Sequence, residues 1–155
     1  MKAPRGDIDR IMEVMERAFD PAYGEAWNRR QIEDSLSFPS NRYCLVNEFG
    51  AEPAEDEKAA GFYLSRSGFL EEELLLLAVV PEFRGRGLGR ILIDNLTESS
   101  RDRGAQLLFL EMRRGNPAEA LYSACGFERI GERRNYYRGA DGSRIDAITF
   151  GLKLK

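Results

Sequence analysis

The chain contains no histidine. That absence removes the commonest general base, the Ser-His-Asp and Cys-His arrangements of nucleophilic catalysis, and most zinc sites, so no metal is expected. Cysteine is scarce too: Cys44 and Cys125 are the only two, they form no CxxC pair, and they make no disulfide framework. Both are expected to be reduced and largely buried. No Gly-Lys-Ser/Thr occurs anywhere, which excludes a Walker loop. The longest apolar run, residues 74–80, is far below the roughly 20 residues of a membrane span, and the opening MKAPRGD lacks the apolar region of a signal peptide. Basic charge is not in excess. With 23 Lys and Arg against 26 Asp and Glu, the net charge of −3 argues against a general binder of nucleic acid or of an anionic membrane. A cytoplasmic protein is expected, with acid–base chemistry resting on carboxylates, tyrosines, backbone or water.

What the chain does have is concentrated between residues 74 and 96, LLLLAVVPEFRGRGLGRILIDNL. Residues 74–80 are an unbroken apolar run of strand length, which Pro81 prevents from continuing as a central strand. Leu88, Ile91, Leu92 and Leu96 then follow at the spacing of an amphipathic helix. Strand, glycine-rich turn and helix therefore follow one another. Gly85, Gly87 and Gly89 at the mouth of the helix let a ligand approach the backbone, where first-turn N–H groups are unpaired. The helix dipole favours an anion there, and Arg84, Arg86 and Arg90 bring three cations to the same corner. A plain glycine turn carrying solvated arginines is the competing reading. A dinucleotide fingerprint fits poorly, because G-x-G-x-G puts the third glycine one residue early.

The 155 residues are read as one domain, 1–155, large enough to bury roughly 68 to 70% of the extended surface. Ile8, Ile11, Met12, Met15 and Phe19 have helical spacing, with Asp7 or Asp9 as a possible cap. Pro21, Tyr23 and Gly24 mark a loop, and Trp27, Gln31, Ile32 and Leu36 a second short helix ending before Pro39. Residues 42–49 and 60–65 read as antiparallel strands, joined by an acidic, mobile connection over 50–59. After the central unit come a buried strand at 107–112 and a short helix opening at Pro117. Two last strands at 133–138 and 146–152 are joined at Asp141-Gly142. No internal repeat or low-complexity segment is present. The order implies a mixed α/β fold, a sheet flanked by helices.

Glu111 interrupts an otherwise apolar strand and points opposite to Leu110 and Met112. Two readings stand: a general base that removes a proton from an amine, or a strand-end carboxylate paired with Arg113 or another arginine. Tyr122, in ALYSACGF, is either a packing residue or a phenol beside a leaving thiolate. For the latter, proton transfer is uphill by roughly 2 kcal/mol in water, so hydrogen-bond donation is the alternative role. Trp27 is a core anchor or a ligand contact. Strand alternation sends one of Tyr136 and Tyr137 inward and the other outward. Arg133, Arg134 and Arg138 read as solvated edge charges or as partners of an anion. Cys125 is a poor nucleophile without a histidine to activate it.

The run from Arg84 to Arg90 resembles the (Q/R)-x-x-G-x-(G/A) pyrophosphate loop of the GNAT N-acetyltransferases, with Arg84 first and Gly87 and Gly89 at the glycine positions. LEMRRGNPAEALYSACGF followed by GERRNYYRGADG is similar to the bacterial ribosomal-protein-alanine N-acetyltransferases, whose pattern is LEVRxSN, ALYxxxGF, RRxYY and a DG turn. The resemblance implies the GNAT fold, a mostly antiparallel mixed sheet flanked by helices, and acetyl-CoA as donor. It implies binding of that donor by the loop of Arg84, Gly85, Arg86, Gly87, Leu88, Gly89 and Arg90, by the strand backbone at Leu77, Ala78 and Val79, and by Asn116. It further implies Glu111 as base, Tyr122 as acid, and an acceptor site near Trp27, Tyr136 and Tyr137. The acceptor it implies is a protein N-terminus, with a small amine or a non-catalytic acetyl-CoA-binding role as alternatives. One departure is visible, since the family pattern has one residue more between Asn116 and Tyr122. The oligomeric state is left open.

Overall fold

The computed structural model describes residues 5–19, 25–139 and 141–154. Helix α1 (Arg5–Ala18) carries Ile8, Ile11, Val14 and Met15 on one face at three- and four-residue spacing, and all four are buried. The loop expected at Pro21, Tyr23 and Gly24 lies outside the described residues. Helix α2 (Arg29–Leu36) begins at a reciprocal cap: Asn28 Oδ1 accepts the Gln31 N–H and Gln31 Oε1 accepts the Asn28 N–H, both at 2.8 Å. Such a cap is worth about 1 kcal/mol and fixes the direction of the chain just before it, where Glu25 and Trp27 sit.

Strands β1 (Asn41–Val46), β2 (Gly61–Gly68) and β3 (Glu71–Val79) form an antiparallel meander. Their acidic connection is not the loose segment its composition suggests. Asn47 Oδ1 accepts the N–H groups of Phe49 and Ala51, Asn47 Nδ2 donates to Glu57 at 3.0 Å, and Pro53 is buried. After a single 3₁₀ turn at Pro81–Phe83, helix α3 (Leu88–Asp102) returns the chain to β4 (Leu107–Arg113), which lies parallel to β3. Leu92, Ile93 and Leu96 of α3 are fully buried, each contributing about 2 kcal/mol of transfer free energy.

Helix α4 (Glu119–Ala124) starts two residues later than the proline at 117 suggests. The Asn116 side chain accepts the Ala118 N–H at 2.9 Å and the Asn116 carbonyl accepts that of Glu119, which turns the chain once before helix can form. Strands β5 (Glu128–Arg138) and β6 (Arg144–Lys153) complete a six-stranded sheet in the order β1-β2-β3-β4-β6-β5. The expected mixed α/β fold, a mostly antiparallel sheet with flanking helices, is the fold observed. Cys44 and Cys125 are free thiols, as expected, but only partly buried, since β1 lies at the sheet edge and Cys125 at the end of α4.

One core feature had no sequence signal. Glu72 is 1% exposed, receives hydroxyl hydrogen bonds from Ser65 and Ser67 at 2.7 Å, and pairs with Arg103 at 3.0 Å. The carboxylate is tolerated because two hydroxyls donate to it and Arg103 brings the opposite charge, and removing one partner of such a pair typically costs about 3 to 5 kcal/mol.

The sheet parts in the middle. Strand β3 pairs with β4 only from Glu71↔Leu107 to Leu74↔Leu110. On its other side β3 pairs Leu64↔Leu76 and then Ser65↔Leu74, so Leu75 is an extra residue. A bulge bends its strand. The bend falls where β3 leaves β4, while β4 stays paired with β6 through to Arg113.

Candidate active site

The gap between the two strands opens into a cleft of about 1070 Å³. One wall is β3 from Leu74 to Val79, whose edge has no β4 partner beyond Leu74, and the other is the end of β4, Leu110 to Arg113. The glycine turn closes one end, α4 a side, and residues from the α1–α2 connection and β5 the other end.

At the glycine end, Gly85 and Gly87 have φ of +79° and +81°, the left-handed region that side chains rarely adopt, and nothing lies within 4 Å of a Cβ built on either. Gly87 caps α3. The first-turn N–H groups of a helix have no intrahelical partners, which suits an anion at this end of the cleft. Gly89 serves a different purpose: a Cβ there would lie 2.8 Å from Leu121 Cδ2, so its hydrogen lets α3 and α4 approach. The three arginines part company. Arg84 donates through Nε to the Val79 carbonyl at 3.0 Å and through Nη2 to the Ala18 carbonyl at 2.8 Å, tying the turn to the ends of β3 and α1. Arg86 lies over the Phe83 ring at 5.1 Å and does not line the cleft, whereas Arg90 does.

At the opposite end Glu111 shares a strand face with Phe109 and Arg113, opposite the buried Leu110 and Met112, as the alternation requires. Its Oε2 lies 3.1 Å from Arg133 Nε, with the Glu111 side chain 18% exposed and that of Arg133 61%. The ion pair therefore has its carboxylate in the cleft wall and its cation on the rim. Tyr122 is buried, meets Phe127 edge to face at 5.6 Å, and is held as a phenol by burial first and then by Cys125 and Glu25. Burial also pushes the Cys125 thiol up, against an activated nucleophile there.

Of the tyrosine pair, Tyr137 turns in and Tyr136 out. Strands β5 and β6 pair Arg133↔Ala147 and next Tyr137↔Ile145, leaving residues 134–136 opposite Asp146 alone. Asn135 takes φ +56°, and its N–H donates to Asp146 Oδ1 at 2.9 Å. The bulge gives Tyr137 to the cleft, where burial first, then Glu111 and Glu25, push its hydroxyl up to about 12. Tyr136 is 51% exposed, edge-on to Tyr137 at 5.2 Å and covered by Arg133. Trp27 packs against the core, as a core anchor would, and also lines the cleft.

Thus Glu111, Tyr122, Asn116, Trp27 and Tyr137 line one cleft together with Leu77, Ala78, Val79, Arg84, Gly85, Gly87, Leu88, Gly89 and Arg90, while Arg86 and Tyr136 do not. One lining residue the sequence did not single out is Glu25. Its Oε1 lies 3.3 Å from Arg113 Nε and its Oε2 3.5 Å from Asn116 Nδ2. The nearby signal was Trp27, since a carboxylate two residues from a ligand-contact candidate shares its surroundings.

The model of the Acetyltransferase (GNAT) family matches residues 8–127. The ribosomal protein bS18-alanine N-acetyltransferase of Salmonella typhimurium is 40% identical over 100 residues, covering 64% of this chain and 67% of that protein. The N-alpha-acetyltransferase RimI of Mycobacterium tuberculosis is 35% identical over 143 residues, 88% of this chain and 84% of that protein. Among solved structures, the ribosomal-protein-S18-alanine N-acetyltransferase from Escherichia coli superposes with a TM-score of 0.80 at 28% identity, covering 100% of this chain and 92% of the other.

Proposed function

This chain belongs to the GNAT acetyltransferase family, and we propose that it acetylates the N-terminal α-amine of a protein, a ribosomal protein such as bS18, in the cytoplasm. The observation that carries this reading is the cleft left where β3 parts from β4, with the α3 N-terminus at one end and Glu111 at the other. A relative named for alanine N-acetylation of bS18 and another named as an N-alpha-acetyltransferase support the choice of acceptor.

Acetyl-CoA, the donor of the family, would supply an acyl group activated as a thioester. The residues present fit it. The α3 N-terminus behind the uncrowded Gly85 and Gly87, with Arg90, suits a pyrophosphate, and Arg84 keeps that turn in place through two carbonyls. The unpaired β3 edge at Leu77, Ala78 and Val79 offers main-chain groups to an extended pantetheine arm, and an N–H to an oxygen on which negative charge develops. Asn116 lines the same cleft, although its side-chain oxygen already accepts the Ala118 N–H.

Glu111 takes the proton that the acceptor ammonium loses before its nitrogen can attack. An α-amine, with pKa about 7.7 to 8.0, is already about one-tenth neutral at pH 7, whereas a lysine amine at about 10.4 is almost wholly charged, so a carboxylate base suits the α-amine. As the C–N bond forms and the C–S bond breaks, the nitrogen loses a second proton and the sulfur gains one. Tyr122, kept protonated by its burial, donates a hydrogen bond toward that sulfur without having to ionise. Tyr137 and Trp27 wall the acceptor end.

Thiol release from acetyl-CoA should be followed with two peptides of matched composition, one with a free N-terminal alanine and one N-blocked with an internal lysine. Release with the first alone, lost in Glu111→Gln, is expected. Release with neither, or with small amines only, would sink the peptide reading.

A further inference from the structure

Among the described residues, two carboxylates line this cleft, and the mechanism above uses one. Glu25 reaches it from the connection before α2, so it is placed by a different part of the chain from Glu111 on β4. Its side chain is 20% exposed, and its two contacts, to Arg113 and Asn116, are long for hydrogen bonds at 3.3 and 3.5 Å. A carboxylate offers about four acceptor directions, so this one keeps capacity toward the cleft. Glu111 likewise has an arginine partner, Arg133 at 3.1 Å. Glu25 lines the same cleft as Tyr122 of α4 and Tyr137 of β5, and its charge helps to keep both phenols protonated.

The cleft is thus divided by charge. Arg84, Arg90 and the α3 N-terminus stand at one end, and at the other stand Glu25 and Glu111, each with an arginine partner, Arg113 and Arg133. A donor with a pyrophosphate needs the first. An amine arrives at neutral pH mostly as a cation and needs the second.

We propose that Glu25 is the acceptor-binding carboxylate of this site: it receives the ammonium form of the incoming amine and holds it beside Glu111, which then takes its proton. The assignment rests on the acetyl-transfer reading but not on the acceptor being a peptide. It deepens that reading by making the positive charge of the amine, and not only its side chain, a determinant of binding. Arg113, at the end of β4, and Asn116, in the turn before α4, orient the carboxylate.

The test uses the full chain with Glu25→Gln, which keeps an oxygen for Arg113 and removes the charge, and Glu25→Asp, which keeps the charge and withdraws it by one methylene. Steady-state kinetics are measured with an alanine-initiated peptide and with small primary amines. Binding of the same peptide carrying a propionyl group in place of its N-terminal alanine is measured alongside. With whichever amine the unaltered protein acetylates, Glu25→Gln should raise the acceptor KM about tenfold, the scale of one lost charge-assisted hydrogen bond, and change kcat and the acetyl-CoA KM little. Glu25→Asp should fall between. The propionyl peptide should bind the unaltered protein and Glu25→Gln equally. An unchanged acceptor KM, a fall in kcat alone, or an acetyl-CoA KM rising in step would overturn the assignment. Turnover of small amines alone by the unaltered protein would overturn the peptide reading and leave Glu25 to be judged on those amines. Turnover of no amine would overturn both.

Discussion

Arg84, the first residue of the glycine turn, is bound to Val79, the last residue of β3, by a hydrogen bond of 3.0 Å from its Nε to the Val79 carbonyl. The same guanidinium reaches the Ala18 carbonyl at the end of α1. A side chain whose position in the motif suggests an anion contact is therefore also a strut joining strand, turn and helix. Arg84→Gln should lower stability by about 1 to 3 kcal/mol, the range for hydrogen bonds from a charged donor, and raise the acetyl-CoA KM. Thermal unfolding and donor titration at saturating acceptor check both. A raised KM with no change in Tm would show a phosphate contact alone.

Gly87→Ala and Gly89→Ala should both weaken donor binding, but only one should be reparable. At Gly87 the φ of +81° costs an L side chain roughly 1 to 2 kcal/mol whatever surrounds it. At Gly89 the obstacle is Leu121 Cδ2, 2.8 Å from the new Cβ. Leu121→Ala should restore donor binding to Gly89→Ala and do nothing for Gly87→Ala. Equal rescue of the two would refute the distinction.

Glu111→Gln should lower kcat by about 10²- to 10⁴-fold with acetyl-CoA affinity retained, as expected for a lost general base. Arg133→Gln removes only its rim partner, which is largely in water, and should leave kcat within a few-fold. If Arg133→Gln costs as much as Glu111→Gln, the ion pair and not the free carboxylate is the working unit. Pre-steady-state thiol release separates the two.

Alkaline stability should carry the mark of Tyr137. Its hydroxyl is pushed up to about 12, first by burial and then by Glu111 and Glu25. The unfolded tyrosine releases its proton near pH 10, so between about 10 and 12 the unfolded state binds fewer protons and stability falls as pH rises. Below pH 10 the contribution is constant. Tyr43, Tyr63 and Tyr122 are shifted the same way, so Tyr137→Phe should flatten the decline without abolishing it. Urea midpoints from pH 9 to 11.5 report this, and identical slopes would contradict it.

Much of this could be read from the chain itself. The apolar run, Pro81 and the glycine spacing fix a strand, a turn and a helix in order, because each rests on local sterics. The alternation around Glu111 gave the correct face. What was hidden depended on contacts between distant elements. Nothing in four consecutive leucines marks Leu75 as the bulge that turns β3 from β4. Which tyrosine enters the cleft is decided by the Asn135 bulge and its Asp146 anchor. Three arginines beside three glycines looked like one electrostatic cluster, but a guanidinium takes the nearest satisfying partners, and for Arg84 these were carbonyls. Glu25 carried no periodicity, and its place in the cleft appears only once the segment before α2 is set against the end of β4.

The bulged strand β5 also bears on solubility. It is the last strand of the sheet, eleven residues long and exposed along nearly all of its length, the kind of edge onto which a second chain can add its own strand. Glu128, Arg129, Glu132, Arg133, Arg134 and Arg138 studded along it, and the kink at Asn135, make it a poor template for aggregation. The deformation that brings Tyr137 to the cleft thus also guards the sheet against growth from its open side.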